Sequence, residues 1–194
     1  MALPLYKLQI DPQADSDLEV NYVALVDQPA IEKDFMAFKD HKMFFANEDR
    51  KIISGPAMLA DTPIYRNDKN GEYMVVFEKA TIEQICQKFF AKGYNQNFNI
   101  MHDPNQKTDG VFVFESFITD SARGIKPMAG YEDAPDGSWF ISAKIDNEEV
   151  WGKIKAGDFK GFSVEGQFAK ELVVNEPVVP DAEAMLAALK ELFK

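Results

Sequence analysis

The 194-residue sequence has few of the residues on which metal and cofactor sites usually depend. A single cysteine, Cys86, excludes a disulfide within the chain and makes a cysteine-based zinc site unexpected. The only histidines are His41 and His102, and neither lies in an HEXXH spacing. The sequence also lacks a GxxxxGKS/T motif and a GxGxxG motif after a strand. We therefore expect no metal and no cofactor.

Basic side chains are outnumbered, with 21 Lys and Arg against 32 Asp and Glu, which gives a net charge of −11. This balance argues against binding to nucleic acid or to an anionic membrane. No apolar run approaches the ~20 residues of a membrane span, and the N-terminus lacks a signal-peptide layout. Because 46% of the residues are hydrophobic and 16 are Phe, wholesale disorder is excluded. We expect a soluble, intracellular protein.

Short apolar runs separated by polar turns predict a β-rich α+β domain. An NDKNG turn at residues 67–71 predicts a hairpin, because Asn-Gly can supply positive φ. A capping-box pattern at Thr81 predicts one helix, ending at Lys92-Gly93, and Asn147 is the N-cap candidate of a second helix that stops at Gly157. The strands are predicted at residues 5–10, 20–26, 51–59, 72–77, 110–119, 138–145 and 159–170.

Two further segments differ from this core in composition. Residues 30–38 have the spacing of a short helix. The extended, proline-marked residues 173–180 are predicted to be a linker, and residues 181–194 have the apolar stripe of an amphipathic helix. The predicted organisation is a domain over residues 1–172, the linker, and an appended C-terminal helix that packs on its own domain or on a partner.

His102 and Ser163 are the candidates for chemistry. His102 follows an apolar run and precedes Asp103-Pro104, where a strand leaves the core, so it is placed to act as a general base or simply to cap a turn. His41, in a charged stretch, is expected to have no role. Ser163 lies between Gly161 and Gly166 in GFSVEG, which is compatible with a nucleophile beside free backbone amides or with a bulged edge strand. Strand alternation places Ser163 and Glu165 on the same face.

His102-Asp103, the strands GVFVFESFITD and DGSWFISAKI, and the run NEEVWGKIKAGDFKGFSVEG together resemble the prohead maturation proteases of tailed phages. The branch they resemble occurs in PBSX-type defective prophages, and the resemblance covers roughly residues 20–168. It implies an assemblin-like fold, a small β-barrel flanked by helices. It also implies that His102 is the general base and Ser163 the nucleophile of a serine endopeptidase.

The third catalytic residue departs from the family's pattern. The family's third member lies on a strand after the serine, whereas the matching apolar run here is residues 22–30, which suggests a circularly permuted barrel with Tyr22 at the expected position. The candidates to orient His102 are Glu19, Asn21, Asp27, Asp103 and Glu165. We take Glu165 as the third member, with a Ser–His dyad as the alternative.

The resemblance implies a protease that acts inside the assembling prohead, in the cytoplasm of the bacterial host. Its expected partners are the phage scaffold and the major capsid protein, and a homo-oligomer is also compatible with the sequence. Two other functions stay open at this point. One is a capsid-assembly or scaffold component that keeps the fold without the chemistry, and the other is a generic β-rich binding module.

Overall fold

A computed structural model describes residues 3–27, 45–47 and 50–173. The predicted helix over residues 30–38, His41, the rest of the predicted linker from residue 174 and the predicted C-terminal helix lie outside the described residues. Within the described ranges, neither α-helix combines the length and the apolar composition needed to cross a membrane.

The described chain is mostly strands, with two α-helices, so the predicted mixed α+β class is confirmed. The strands are β1 (Leu5–Gln9), β2 (Val20–Val26), β3 (Phe45–Asn47), β4 (Ile52–Met58), β5 (Ile64–Asp68), β6 (Gly71–Val76), β7 (Phe98–Ile100), β8 (Asp103–Lys107), β9 (Val111–Ile118), β10 (Trp139–Ile145), β11 (Gly161–Gly166) and β12 (Ala169–Leu172). The helices are α1 (Lys79–Ala91) and α2 (Glu148–Ala156).

The described strands do not close into the barrel that the resemblance implies, because they form three separate four-stranded sheets. Their strand orders are β12-β1-β6-β5, β3-β4-β10-β9 and β11-β2-β7-β8. The sequence predicts one strand over residues 159–170, but this segment divides at Gly166 into β11 and β12, which lie in different sheets. A Cβ on Gly166 would lie 2.1 Å from the carbonyl oxygen of Glu19, so glycine is required there for close backbone packing against β2.

The core lies where α1 covers the strands. Ile82, Ile85 and Phe89 of α1 are almost fully buried, and the Phe89 ring packs edge-on against Trp139 of β10 at 5.5 Å between ring centroids. These three positions recur at helical spacing, so a single face of α1 supplies the contact.

The predicted helix boundaries are partly confirmed. The side chain of Asn147 accepts a hydrogen bond from the Val150 amide, so it is the N-cap of α2 as predicted, and Gly157 ends α2 with a φ of 82°. The capping box at Thr81 is wrong, because α1 begins at Lys79 with Glu78 as its N-cap. The Glu78 side chain makes no cap hydrogen bond and pairs instead with Lys7 at 2.7 Å.

A buried ionic cluster around Glu19 attaches the loop before β2 to α1. The Glu19 carboxylate accepts hydrogen bonds from Lys92 Nζ at 2.5 Å and from the Tyr94 hydroxyl at 2.8 Å. Lys88 Nζ lies 3.3 Å from the same carboxylate and also donates to the carbonyls of Asp11 and Ser16. Burial alone would raise the pKa of Glu19, but these hydrogen bonds outweigh burial and hold the pKa below its ordinary value of 4.5.

We expect Glu19→Gln to destabilise the protein by about 2 kcal/mol at pH 7. This is less than for a fully buried pair, because Lys92 is partly exposed. A carboxyl whose pKa is lowered on folding contributes stability that is fully present above its unfolded pKa, and that is lost as the pH falls through the folded pKa. The difference between wild type and variant should therefore shrink below about pH 4.5.

Urea unfolding at pH 7 and at pH 3.5 measures both effects. Glu149→Gln is the matched control, because Glu149 pairs with Lys153 on the exposed face of α2 and should have little effect. A Glu19→Gln variant as stable as wild type at pH 7 would contradict the stabilising role of the cluster.

Candidate active site

The candidate site is built on the β11-β2-β7-β8 sheet, with β2 at its centre. Ser163 of β11 lies opposite Ala24 of β2, and Ala24 lies opposite Asn99 of β7. Residues opposite one another in a sheet share a face, so these three side chains form one row. β2 therefore separates β11, which carries Ser163, from β7, which leads into the turn that holds His102. The predicted strand over residues 20–26 is confirmed as β2, the central member of this sheet with β7.

His102 is positioned by a tight turn between β7 and β8. Ile100 pairs with Asp103, so Met101 and His102 are the two central residues of the hairpin. Both have positive φ, 55° and 58°, which is the pattern of a type I′ turn and is uncommon for residues other than Gly, Asn and Asp. Holding two such residues in the left-handed region costs about 1 kcal/mol each. Strain of this kind is concentrated at functional sites, and here it places an imidazole above the row of side chains.

The imidazole joins the serine to a carboxylate. His102 Nε2 lies 3.1 Å from Ser163 Oγ, and His102 Nδ1 lies 3.4 Å from Glu165 Oε2. With its proton on Nδ1, the ring donates to Glu165 and leaves Nε2 free to accept from the serine hydroxyl. This is the arrangement in which a histidine can remove the proton of a nucleophilic serine.

Glu165 is held from the other side by Asn99. Asn99 Nδ2 donates to Glu165 Oε2 at 2.7 Å, which is shorter than the contact of the same oxygen with His102. Asn99 is almost completely buried, and its Oδ1 is the one buried side-chain polar atom without a hydrogen-bond partner in the described part of the chain. Asn99, Glu165, His102 and Ser163 thus form one continuous chain of contacts.

The residues in this series of contacts differ in their exposure to solvent. Ser163 is only 9% exposed, whereas the side chains of His102 and Glu165 are 41% and 35% exposed. The nucleophile candidate is therefore mostly buried, whereas the histidine is open to solvent.

Ser163 also lines a cavity of ≈ 300 Å³. The cavity lies between β11, the end of β4 and the sheet β12-β1-β6-β5. A pocket of this size beside a nucleophile can accept a substrate side chain.

The structure brings Glu165 to His102 but not the other candidates for the orienting residue. Glu19 is engaged in the ionic cluster at α1, and Asp103 accepts hydrogen bonds from Asn105 and Gln106 within β8. Asp27 lies exposed at the end of β2. Asn21 accepts a hydrogen bond from the Asn97 side chain through its carbonyl.

Tyr22, the position at which the permuted family pattern would supply the third residue, lies opposite Glu165 across the β2–β11 ladder. Lys107 lies over the Tyr22 ring at 5.2 Å from its centroid. Glu165 therefore reaches His102 from β11, whereas the permuted family pattern places the orienting group on the neighbouring strand β2.

Sequence reasoning missed two residues of this region, Asn99 and Arg66. Asn99 could have been found, because it is the one polar residue in the strand Phe98–Ile100 and lies three residues before His102. Arg66 lines the cavity of Ser163, and no local pattern connects β5 with β11. Among the residues that the structure describes, no group of three or more His, Cys, Asp or Glu is arranged to hold a metal ion.

A serine beside a histidine that also contacts a carboxylate is the arrangement of the serine hydrolases. Comparison with known proteins agrees with this class. The chain belongs to the family described as "Putative phage serine protease XkdF", whose model matches residues 40–172. The resemblance to phage proteases of the PBSX-prophage type is thereby confirmed.

The chain is also similar to the phage-like element PBSX protein XkdF of Bacillus subtilis (strain 168), with 27% identity over 171 residues. This alignment covers 82% of the chain but 56% of the relative, so the chain spans little more than half the length of that protein. No solved structure matches the chain with statistical significance.

Proposed function

We propose that this protein is a serine endopeptidase that cleaves scaffold and capsid-protein segments during phage head assembly. The observation that carries the proposal is the 3.1 Å contact between His102 Nε2 and Ser163 Oγ, in a chain of the phage serine protease family. The strained turn that holds His102 supports it further, since an unstrained residue would suffice if the histidine only ended a strand.

In the proposed mechanism His102 removes the hydroxyl proton of Ser163 as Oγ attacks the scissile carbonyl. The protonated imidazole then delivers this proton to the leaving amine, and the peptide's acyl group stays on Ser163. His102 then deprotonates a water molecule, which attacks the acyl group bound to Ser163. The acyl group leaves as a carboxylic acid, and His102 returns the proton to Ser163 Oγ. Glu165 accepts the Nδ1–H hydrogen bond and keeps the ring oriented, and Asn99 holds Glu165. Gly166 is better explained by its packing against Glu19 than by a role in binding the oxyanion.

The more specific parts of the proposal rest on the family. The order of the site, with His102 before Ser163, supports an assemblin-type relationship, and the apolar run at residues 22–30 supports a permuted strand order. Scaffold and major capsid protein as partners, and the prohead as the place of action, are proposed on the same basis.

Co-expression of the full chain with a scaffold and a capsid-protein precursor of a PBSX-type prophage tests this function. We expect new peptide termini, detected by mass spectrometry, that are present with wild type and missing with Ser163→Ala. Ser121→Ala is the matched control, because Ser121 lies exposed in a short 3₁₀ turn. Identical termini with wild type and Ser163→Ala would refute Ser163 as the nucleophile. If wild type cleaves neither precursor but capsid assembly still requires the protein, the result favours the non-enzymatic assembly role.

A further inference from the structure

The cavity beside Ser163 has a charge pattern that the catalytic residues do not explain. Its walls are mainly apolar, and they are formed by side chains that include Leu8, Met58, Ile64, Val75, Phe77 and Phe168. Two cationic residues, Arg66 and Lys170, also line it, whereas no Asp or Glu of the described chain does. In a protein with a net charge of −11, a cavity whose charged lining residues are both cationic favours a negatively charged group.

The two cations differ in how far they are already neutralised. Lys170 Nζ donates to the Tyr73 hydroxyl at 2.7 Å and lies 3.7 Å from Asp68. Arg66 donates one hydrogen bond, to the carbonyl of Tyr65 at 3.0 Å, and no carboxylate of the described residues lies within ion-pair distance of it. Since a guanidinium has five N–H donors, most of the donors of Arg66 are left for a ligand.

Arg66 is also partly withdrawn from water. Burial lowers the pKa of Arg66, although a guanidinium stays charged at any physiological pH. A half-buried cation without a carboxylate partner gains more from an incoming carboxylate than an exposed one, because less water is displaced and screening is weaker. Two parallel N–H donors match the two oxygens of a carboxylate.

We propose that Arg66 makes this cavity a specificity subsite for an acidic side chain of the substrate, next to the bond that Ser163 attacks. The proposal rests on the proposed function for its meaning in catalysis. The apolar walls hold the methylene groups of the acidic residue, and Arg66 binds its carboxylate. The substrate class is therefore a peptide segment with Glu or Asp close to the cleavage site.

Binding to the Ser163→Ala protein tests the subsite without any chemistry. Three pentapeptides serve as probes: acetyl-Ala-Ala-Glu-Ala-Ala-amide, its Gln counterpart, and the Gln counterpart with a free terminal carboxylate. The Nε–Hε signal of Arg66 in a two-dimensional NMR spectrum reports contact, and titration gives the affinity. We expect the Glu peptide to shift this signal and to bind about tenfold more tightly than its Gln counterpart.

Arg66→Gln should remove this tenfold difference, and Arg66→Lys should retain part of it, because the charge stays while the paired donors are lost. Arg123→Gln is the matched control, since the Arg123 side chain is 70% exposed on a 3₁₀ turn, and it should keep the full difference. Equal binding of the Glu and blocked Gln peptides, or an unmoved Arg66 signal, overturns the proposal. So does preferential binding of the peptide with the free end, which would make the ligand a terminal carboxylate.

This experiment separates the subsite from the protease proposal. A preference for the Glu peptide that depends on Arg66 supports the subsite even if no precursor is cleaved, in which case the proposed protease activity alone fails. Conversely, Ser163-dependent cleavage at sites without an acidic residue nearby supports the protease and overturns the subsite.

Discussion

Replacing Ser163 with Ala should abolish peptide cleavage, and His102→Ala should lower the rate by about 10⁶-fold. The two residues act in one proton transfer, so removing either leaves the other without a partner at 3.1 Å. The double variant should therefore be no slower than the single variants. The measurement is the initial rate of cleavage of a purified capsid precursor, together with the rate of covalent labelling by a fluorophosphonate probe.

Urea unfolding of each variant is the control for this result, because a variant that fails to fold would also be inactive. Ser163→Ala removes one small hydroxyl whose side-chain partner is the exposed His102, so it should leave the urea-unfolding midpoint nearly unchanged. His102→Ala also replaces a residue with positive φ by another one that is not glycine, so its backbone strain persists. A folded Ser163→Ala protein that still takes up the fluorophosphonate would show that another residue is the nucleophile. If the fold reductions in rate of the two single variants multiply in the double variant, the two residues act separately.

Replacing Glu165 with Gln should lower kcat by about 10²-fold to 10⁴-fold and leave KM almost unchanged. The carboxylate supports the imidazolium formed during attack, and it does not contact the substrate in the proposed mechanism. The effect should lie toward the lower end of this range, because both Glu165 and His102 are more than a third exposed and water screens their interaction.

Glu171→Gln is the control for Glu165, since it changes an exposed glutamate of β12 that hydrogen-bonds Gln9. If Asn99 acts by positioning Glu165, the double variant Asn99→Ala with Glu165→Gln should have a kcat only slightly lower than that of Glu165→Gln alone. An unchanged kcat in Glu165→Gln would show that a Ser–His dyad suffices.

The site was predicted from sequence more fully than the fold around it. The nucleophile and base candidates stand out because histidine is scarce and because a serine between two glycines is unusual, and the family pattern then connects them across sixty residues. Glu165 follows from strand alternation alone, since positions 163 and 165 share a face. Asn99 and Arg66 were missed, because their relation to Ser163 depends on which strands become neighbours.

The errors in the fold have the same origin. The capping box predicted at Thr81 does not form, because α1 begins one turn earlier with Glu78 as its N-cap, and the Glu78 side chain pairs with Lys7 of a distant strand. The sequence predicts one strand over residues 159–170, whereas the structure divides this segment at Gly166. The division into β11 and β12 depends on pairing with distant strands, and a Cβ on Gly166 would lie 2.1 Å from the Glu19 carbonyl oxygen. Local patterns define the segments, whereas long-range pairing defines the sheets.

The position of β2 between β7 and β11 has a consequence for the timing of activity. The parallel pairing of β2 with β7 and the antiparallel pairing of β2 with β11 each close a long stretch of chain, so each costs loop-closure entropy. His102 can reach Ser163 only when both pairings exist. During synthesis the base and the central strand emerge well before the nucleophile, so the growing chain is inert until β11 has docked. The topology thus makes assembly of the candidate site depend on completion of this sheet.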